Sequence, residues 1–317
     1  MEAARSVLLV LHVRPDGDSI GSSLAVARCL RTLGKRAVVV CPDALPENLR
    51  FLDPEGECVP PATATGPFDL GLFLDCSDLE RVGAARPLLA EVGRLVNVDH
   101  HASNARYGDV AYVEPQVGAC GELALRLIDA LGVPLDPAVA TALYAALATD
   151  TGSFRYENTT AETLALAARL RRAGADTARI GREVWDSRSL AALRLIGSAL
   201  AHLGVDTDGR LAWVSLRAEE LAASAPGDTE GLVDYPRSLR GVEVAALFIA
   251  EPGGEVRVSL RSQRRVDVSR LAGLFGGGGH ARAAGCTLPG PLDAARESVL
   301  AAARRALAEG AGQGGAP

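Results

Sequence analysis

Val7-Leu8-Leu9-Val10-Leu11-His12-Val13-Arg14-Pro15-Asp16-Gly17-Asp18 sets a five-residue apolar run against a Gly/Pro turn that carries an imidazole and two carboxylates. A short continuous apolar run bounded by turn residues reads as a strand buried on both faces, and Ile20–Leu33, closed by Gly34, reads as the helix that follows it. Arg36–Cys41, Leu70–Leu74 and Arg94–Val98 repeat the strand pattern downstream. This alternation predicts an α/β fold: an N-terminal Rossmann-like, mainly parallel sheet with helices on both faces. Residues 120–203 are then mostly helical, with Gly121–Leu131, Pro137–Thr149, Thr160–Ala173 and Ser189–Leu203 carrying apolar positions at three- and four-residue spacing. Beyond them Leu211–Leu216, Val242–Ile249 and Val256–Leu260, set apart by turn signals, predict a smaller C-terminal α/β domain, with the working cleft between the two. The expected boundaries are 1–186 for the first domain, 187–205 for a helical linker, 206–309 for the second domain and 310–317 for a mobile tail.

The length of 317 residues fits two domains at about 150 residues each. A net charge of −6 excludes a general electrostatic glove for long duplex nucleic acid, so any such contact must be local. The longest apolar runs fall far short of the roughly 20 residues that span a bilayer, and the first apolar stretch runs into His12–Asp16 without a cleavage pattern. A cytoplasmic protein with no membrane partner is the expectation. Six cysteines form no CxxC pair, which argues against both a zinc knuckle and a disulfide framework.

Four apolar runs of the first domain each end in a ligand-type residue: VLLVL in His12, LGLFL in Asp75, RLVNV in Asp99-His100-His101, and LYAALAT in Asp150. The carboxyl ends of parallel strands share one edge, where open α/β folds bind ligands, so the four groups can converge. Mixed His/Asp sets suit manganese or another first-row ion. Taken singly, each has a plainer reading: Asp16-Gly17-Asp18 is a turn with Asp18 or Ser19 capping the next helix, Asp75 is a structural acid, and His100-His101 is a solvated loop. In an extended backbone only one of two adjacent histidines faces a given metal, which leaves the other for a substrate and Asp99 to hold a ring nitrogen. Four of only five histidines (His12, His100, His101 and His280) lie in polar, Gly-rich or strand-end settings, whereas His202 in a helical stretch reads as structural. Six ligand candidates suggest two ions. In the second domain the run Gly276–Gly279 before His280 permits close backbone approach or an anion nest. Arg261, Arg264 and Arg265 precede it, able to hold phosphate or simply to end a solvated strand.

The ordered set His12/Asp16/Asp18, Asp75, Asp99-His100-His101, Asp150-Thr151-Gly152-Ser153-Phe154 and Gly276–His280 resembles the DHH phosphoesterases that carry a DHH-associated C-terminal domain, and within them the oligoribonuclease (nanoRNase) and pAp phosphatase branch. The resemblance runs from about residue 6 to about residue 305. It implies two divalent ions, Mn²⁺ by preference: His12 and Asp16 on the first, Asp18, His100 and Asp150 on the second, Asp75 bridging. It further implies that His101 faces the scissile phosphate, that Asp99 supports the histidine pair, and that Arg261, Ser262, Gly278, Gly279 and His280 bind the rest of the substrate. Arg14 stands where many relatives carry Asn or another polar residue. The implied substrates are very short oligoribonucleotides and nucleotide bisphosphates, and a homodimer is the family-level expectation. Thirteen aromatic residues in the whole chain cannot line a long stacking track. Inorganic pyrophosphatase and cyclic-dinucleotide phosphodiesterase stand as alternative activities, and a nucleotide- or RNA-binding module as the alternative outside enzymes.

Overall fold

The four buried residues Val7–Val10 form the centre of a parallel sheet because nothing in them has to reach water. The computed structural model describes residues 3–221, 228–229 and 231–312, and divides into two compact units between Ser187 and Arg188. In the first unit the order is β1 (Ser6–Val10), α1 (Gly17–Thr32), β2 (Arg36–Val40), β3 (Cys58–Val59), β4 (Phe68–Leu74), β5 (Val92–Asp99), β6 (Val110–Val113), α2 (Cys120–Ala130), α3 (Pro137–Asp150), α4 (Ala161–Arg172) and α5 (Thr177–Trp185). The sheet runs β3-β2-β1-β4-β5-β6 with every pairing parallel. The reversal at β1/β4 places a topological switch point beside His12 and Asp75, where such folds form their crevice.

One face of this sheet packs against α1, α2 and α3 through Leu9, Leu24, Leu72, Leu123 and Leu143. The other face, built on Leu8, Val10, Val40 and Phe73, is covered by 3₁₀ turns at 79–91 that bring Val82 and Ala85 inward. Here the expectation of α-helices on both faces changes in detail. Pro87 and the left-handed Gly83 forbid a continuous α-helix in that stretch. Gly21 sets the depth of the α1–α3 contact: a Cβ there would lie 2.3 Å from the carbonyl oxygen of Ala142, so only hydrogen fits. That close crossing carries the end of α3 to the strand edge.

The second unit contains α6 (Leu190–Ala201), β7 (Gly204–Val205), β8 (Leu211–Leu216), α7 (Asp234–Arg237), β9 (Val244–Ala250), β10 (Glu255–Ser262), α8 (Val268–Gly273), β11 (Gly278–His280), β12 (Ala283–Pro289) and α9 (Leu292–Gly312). Its sheet order is β11-β12-β10-β9-β8-β7, antiparallel except at β8–β9. The stretch expected as a linker, 187–205, is helical, yet α6 buries Leu195, Ile196 and Ala199 against Val214, Leu216 and Leu247 and so belongs to this unit's core. Of the expected tail, 310–312 continues α9, and 313–317 lies outside the described residues. Among the described residues no helix is long and apolar enough to cross a membrane.

Candidate active site

His12 follows β1, Asp75 follows β4, and His100 and His101 follow β5, so three of the four expected convergences come from one sheet edge. Asp150 does not come from a strand. It is the last residue of α3, because Leu143–Thr149 continues an Ala-rich helix that begins at Pro137 behind the capping carboxylate of Asp136. A carboxylate at a helix C-terminus opposes the helix dipole and is stable there only beside positive charge.

Two triads result. The Nε2 of His12 lies 3.6 Å from an oxygen of Asp16 and 3.6 Å from Oδ2 of Asp75. The Nε2 of His100 lies 3.4 Å from Oδ1 of Asp75, 3.6 Å from Asp150 and 3.8 Å from Asp18. Asp75 therefore turns one carboxylate oxygen to each histidine. Its own backbone is left-handed, at φ 60°, a conformation rare for a side-chain-bearing residue. Of the five such non-glycine residues among those described, Arg14, Asp75, Ser153 and Phe154 all sit in the loops around these triads. Backbone strain of this kind gathers at functional sites.

The donor set fits divalent cations. Separations of 3.4–3.8 Å are long for hydrogen bonds but near the roughly 3.0–3.4 Å spacing of two ligands each about 2.1 Å from one ion. Among the described residues the buried Nε2 of His12 and Oδ1 of Asp75 have no hydrogen-bond partner. The His12 ring uses Nδ1 on the Val13 carbonyl at 2.9 Å, and His100 turns Nδ1 to the Val117 carbonyl at 3.4 Å, which leaves each Nε2 directed at the carboxylates. Asp18 is held from three sides: the amides of Cys120 and Gly121 at the start of α2 donate to it at 2.6 and 2.8 Å, and the Ser22 hydroxyl at 3.0 Å. Asp16 is both cap and candidate ligand, since one oxygen accepts from the Ser19 amide at 3.1 Å while the other faces His12. The capping expectation attached to Asp18 or Ser19 thus falls on Asp16.

Charge tells the same story. Burial opposes ionisation of Asp150, and together with the neighbouring Asp75 and Asp16 charges it raises that carboxyl to about 6. Burial, Asp75 and Asp150 raise Asp18 as well. Burial works against a protonated His12, yet Asp16 and Asp75 lift it to about 10. Four carboxylates around two imidazoles are short of positive charge, and protons fill the deficit where cations do not.

His101 stands beside these groups, with Nδ1 3.5 Å from Oδ1 of Asp75. Its Nδ1 donates to Asp99 at 2.8 Å, and the Asp99 carboxylate is fully engaged by the His100 amide at 2.8 Å and the Asn104 side chain at 2.5 Å. Asp99 thus orients His101, and its carboxylate also lies with Asp75, His100 and His101 in a group whose donor atoms could hold a metal ion. The glycine run of the second unit is extended where a concave nest was one expectation. Gly278–His280 pairs with Ala283–Gly285, and a Cβ at Gly277 would lie 2.1 Å from the Gly285 carbonyl. Close backbone approach is why glycine stands there.

The sequence profile of the DHH family, N-terminal domain, matches residues 6–147, and that of the DHHA1 domain matches residues 214–309. The chain is 36% identical over 302 residues, 95% of its length and 90% of the other, to a Thermus thermophilus protein named bifunctional oligoribonuclease and PAP phosphatase NrnA. The chain belongs to the DHH family. A Bacillus subtilis protein of the same name is 25% identical over 89% of each chain. The solved structure of an exopolyphosphatase-related protein from Bacteroides fragilis matches with a TM-score of 0.87 at 29% identity, covering 97% of this chain and 93% of that one. Within this DHH-family site, three residues escaped the sequence reading. Asn104 holds Asp99, Asn158 donates to the carbonyls of Gly118 and Asp150, and the Arg81 carbonyl accepts from the Val13 amide at 2.7 Å. Asn158 reaches Gly118 and Arg81 reaches Val13 across distant parts of the chain, and Asn104 reaches Asp99 through a turn, contacts for which spacing offers no signal.

Proposed function

We propose that this chain is a cation-dependent phosphoesterase that hydrolyses very short oligoribonucleotides to nucleoside 5′-monophosphates and dephosphorylates 3′-phosphoadenosine 5′-phosphate to AMP. The observation that carries the reading is Asp75, with one oxygen to the His12–Asp16 group and the other to the Asp18–His100–Asp150 group. We assign two divalent cations to these residues, manganese by preference, with Asp75 shared between them. Bound there, they supply activated water and charge neutralisation at phosphorus. The chain's own side chains do the rest. Asp99 fixes Nδ1 of His101 so that the ring works through Nε2, hydrogen-bonding the scissile phosphate. Arg261, Ser262, Gly278, Gly279 and His280 hold the remaining phosphate or terminal group of the nucleotide. The names of the relatives support the substrate classes, and the proposal includes a cytoplasmic location and a homodimer.

The deciding experiment is a time course on a length series of 5′-labelled RNAs, with pAp and pyrophosphate alongside and manganese added. Turnover concentrated on the shortest RNAs and pAp is expected. Dominant turnover of pyrophosphate would replace this reading with a pyrophosphatase. Arg261→Ala is expected to raise KM more than it lowers kcat.

A further inference from the structure

Arg264 and Arg265, left between two readings by the sequence, sit on a loop that the fold immobilises from both sides. One oxygen of Glu243 accepts the backbone amides of Arg264, Arg265 and Val266, at 3.1, 2.5 and 2.9 Å. From the opposite side the Arg282 guanidinium donates to the carbonyls of Val266, at 2.9 Å, and Arg264. The side chains carried by this clamped backbone are exposed, and among the described residues neither guanidinium makes an ion pair or hydrogen bond. Like charges on adjacent residues repel, and an anion held between them relieves that repulsion.

A third arginine meets them because of strand direction. Arg210 precedes β8 and Glu243 precedes the parallel β9, while Arg264 and Arg265 follow the antiparallel β10, so all four lie at one end of the sheet. The Arg210 guanidinium is pinned by Asp208 at 2.7 Å and by the Leu307 carbonyl at 3.2 Å. Together with Gly241 and Val266 these groups line a cavity of about 240 Å³. Glu243 also lines it, but the oxygen described above already faces three amides. Asp208 offsets Arg210 and Glu243 offsets part of the remaining charge, which leaves the cavity net positive through Arg264 and Arg265.

We infer that this cavity is a second anion site, distinct from the residues assigned to the reaction, and that it takes a phosphomonoester dianion. Paired planar guanidiniums match the terminal oxygens of a phosphomonoester, which a phosphodiester does not offer. No aromatic side chain lines the cavity, so recognition falls on the phosphate and not on a base. The dianion has two sources, free phosphate and the 5′-phosphate of a nucleoside monophosphate.

The test uses the full chain, freed of divalent cations by chelation and dialysis so that the proposed metal centre cannot hold phosphate. Calorimetric titrations with inorganic phosphate, with AMP and with ApA, which has only a phosphodiester, compare the parent with the double variant Arg264→Gln/Arg265→Gln. Phosphate and AMP are expected to bind at one site per chain and to weaken at least tenfold in the double variant. Its thermal unfolding should be unchanged, since both side chains are exposed. Equal affinity for phosphate and AMP assigns the free anion, and tighter AMP assigns the nucleotide. Affinity that survives the double variant, falls instead with Arg261→Gln, or favours ApA overturns the inference.

Discussion

The His12–Asp16 and Asp18–His100–Asp150 groups that Asp75 joins are built to different tolerances. On one side Asp18 is buried, takes three hydrogen bonds from α2 and Ser22, and faces a histidine whose other nitrogen is turned to a carbonyl. On the other side Asp16 is 58% exposed and divides its two oxygens between capping α1 and facing His12. The first triad is preorganised by the packing of three helices, whereas the second depends on a strained turn at Arg14 whose amide is tied to Asp43. Preorganisation raises affinity by removing ordering costs, so the two sides should hold their cations unequally.

The largest effect should come from removing what the triads share. Asp75→Ala is expected to lower turnover of a dinucleotide about a thousandfold, the several kcal/mol that metal ions contribute to charge stabilisation. Metal analysis should show cation content falling on both sides together. Retained activity would break the comparison at its root. Next, Asp18→Ala and Asp16→Ala should separate. The former is expected to weaken one cation about a hundredfold, at the top of the roughly 10–100-fold range for changes around metal sites, and the latter nearer tenfold. Competition with a fluorescent chelator measures both. Equal losses would mean that the hydrogen bonds to Asp18 do not preorganise it.

Gly21→Ala tests the packing beneath the tighter side. The added Cβ meets a backbone oxygen of α3 and cannot be accommodated by a side-chain rotation, so a loss of about 1–3 kcal/mol in folding stability is expected. Urea denaturation reads it. The cation on the Asp18 side should weaken in parallel, because α3 ends in Asp150.

Three strand-end positions were legible in the sequence because a parallel sheet forces the carboxyl ends of its strands onto one edge. Asp150 is legible as a residue and as the end of a helix, since the spacing over Pro137–Thr149 predicts one; only its grouping with the strand ends needs correcting, because an apolar run before an acid looks alike at the end of either element. Of the two readings of the glycine run, close backbone approach holds and the nest does not, because its pairing partner 283–285 lies on a later strand that spacing does not reveal. Asn104, Asn158 and Arg81 were invisible for the same reason. Each is placed by a turn or helix elsewhere in the chain, and a single polar residue has no period.

The smallest expected effect concerns pH. In the cation-free chain Asp150 is raised to about 6, so the folded state holds a proton that the unfolded state releases near 4, and stability falls as pH rises from 4 to 6. His12, raised to about 10, adds stability below 6.5 that is lost as pH rises through 10. Cations must displace those same protons. The increment in Tm produced by saturating manganese should therefore grow from pH 5.5 to pH 8.5, by a few degrees for each kcal/mol of added stabilisation. Scanning fluorimetry with and without the ion measures it across that range. In Asp16→Ala the dependence above pH 6.5 should flatten, because His12 then loses the carboxylate that most raises it, while the part near pH 6 set by Asp150 should shrink less, because burial and Asp75 still raise that carboxyl. An increment independent of pH would show that protons and cations do not compete for these carboxylates and imidazoles.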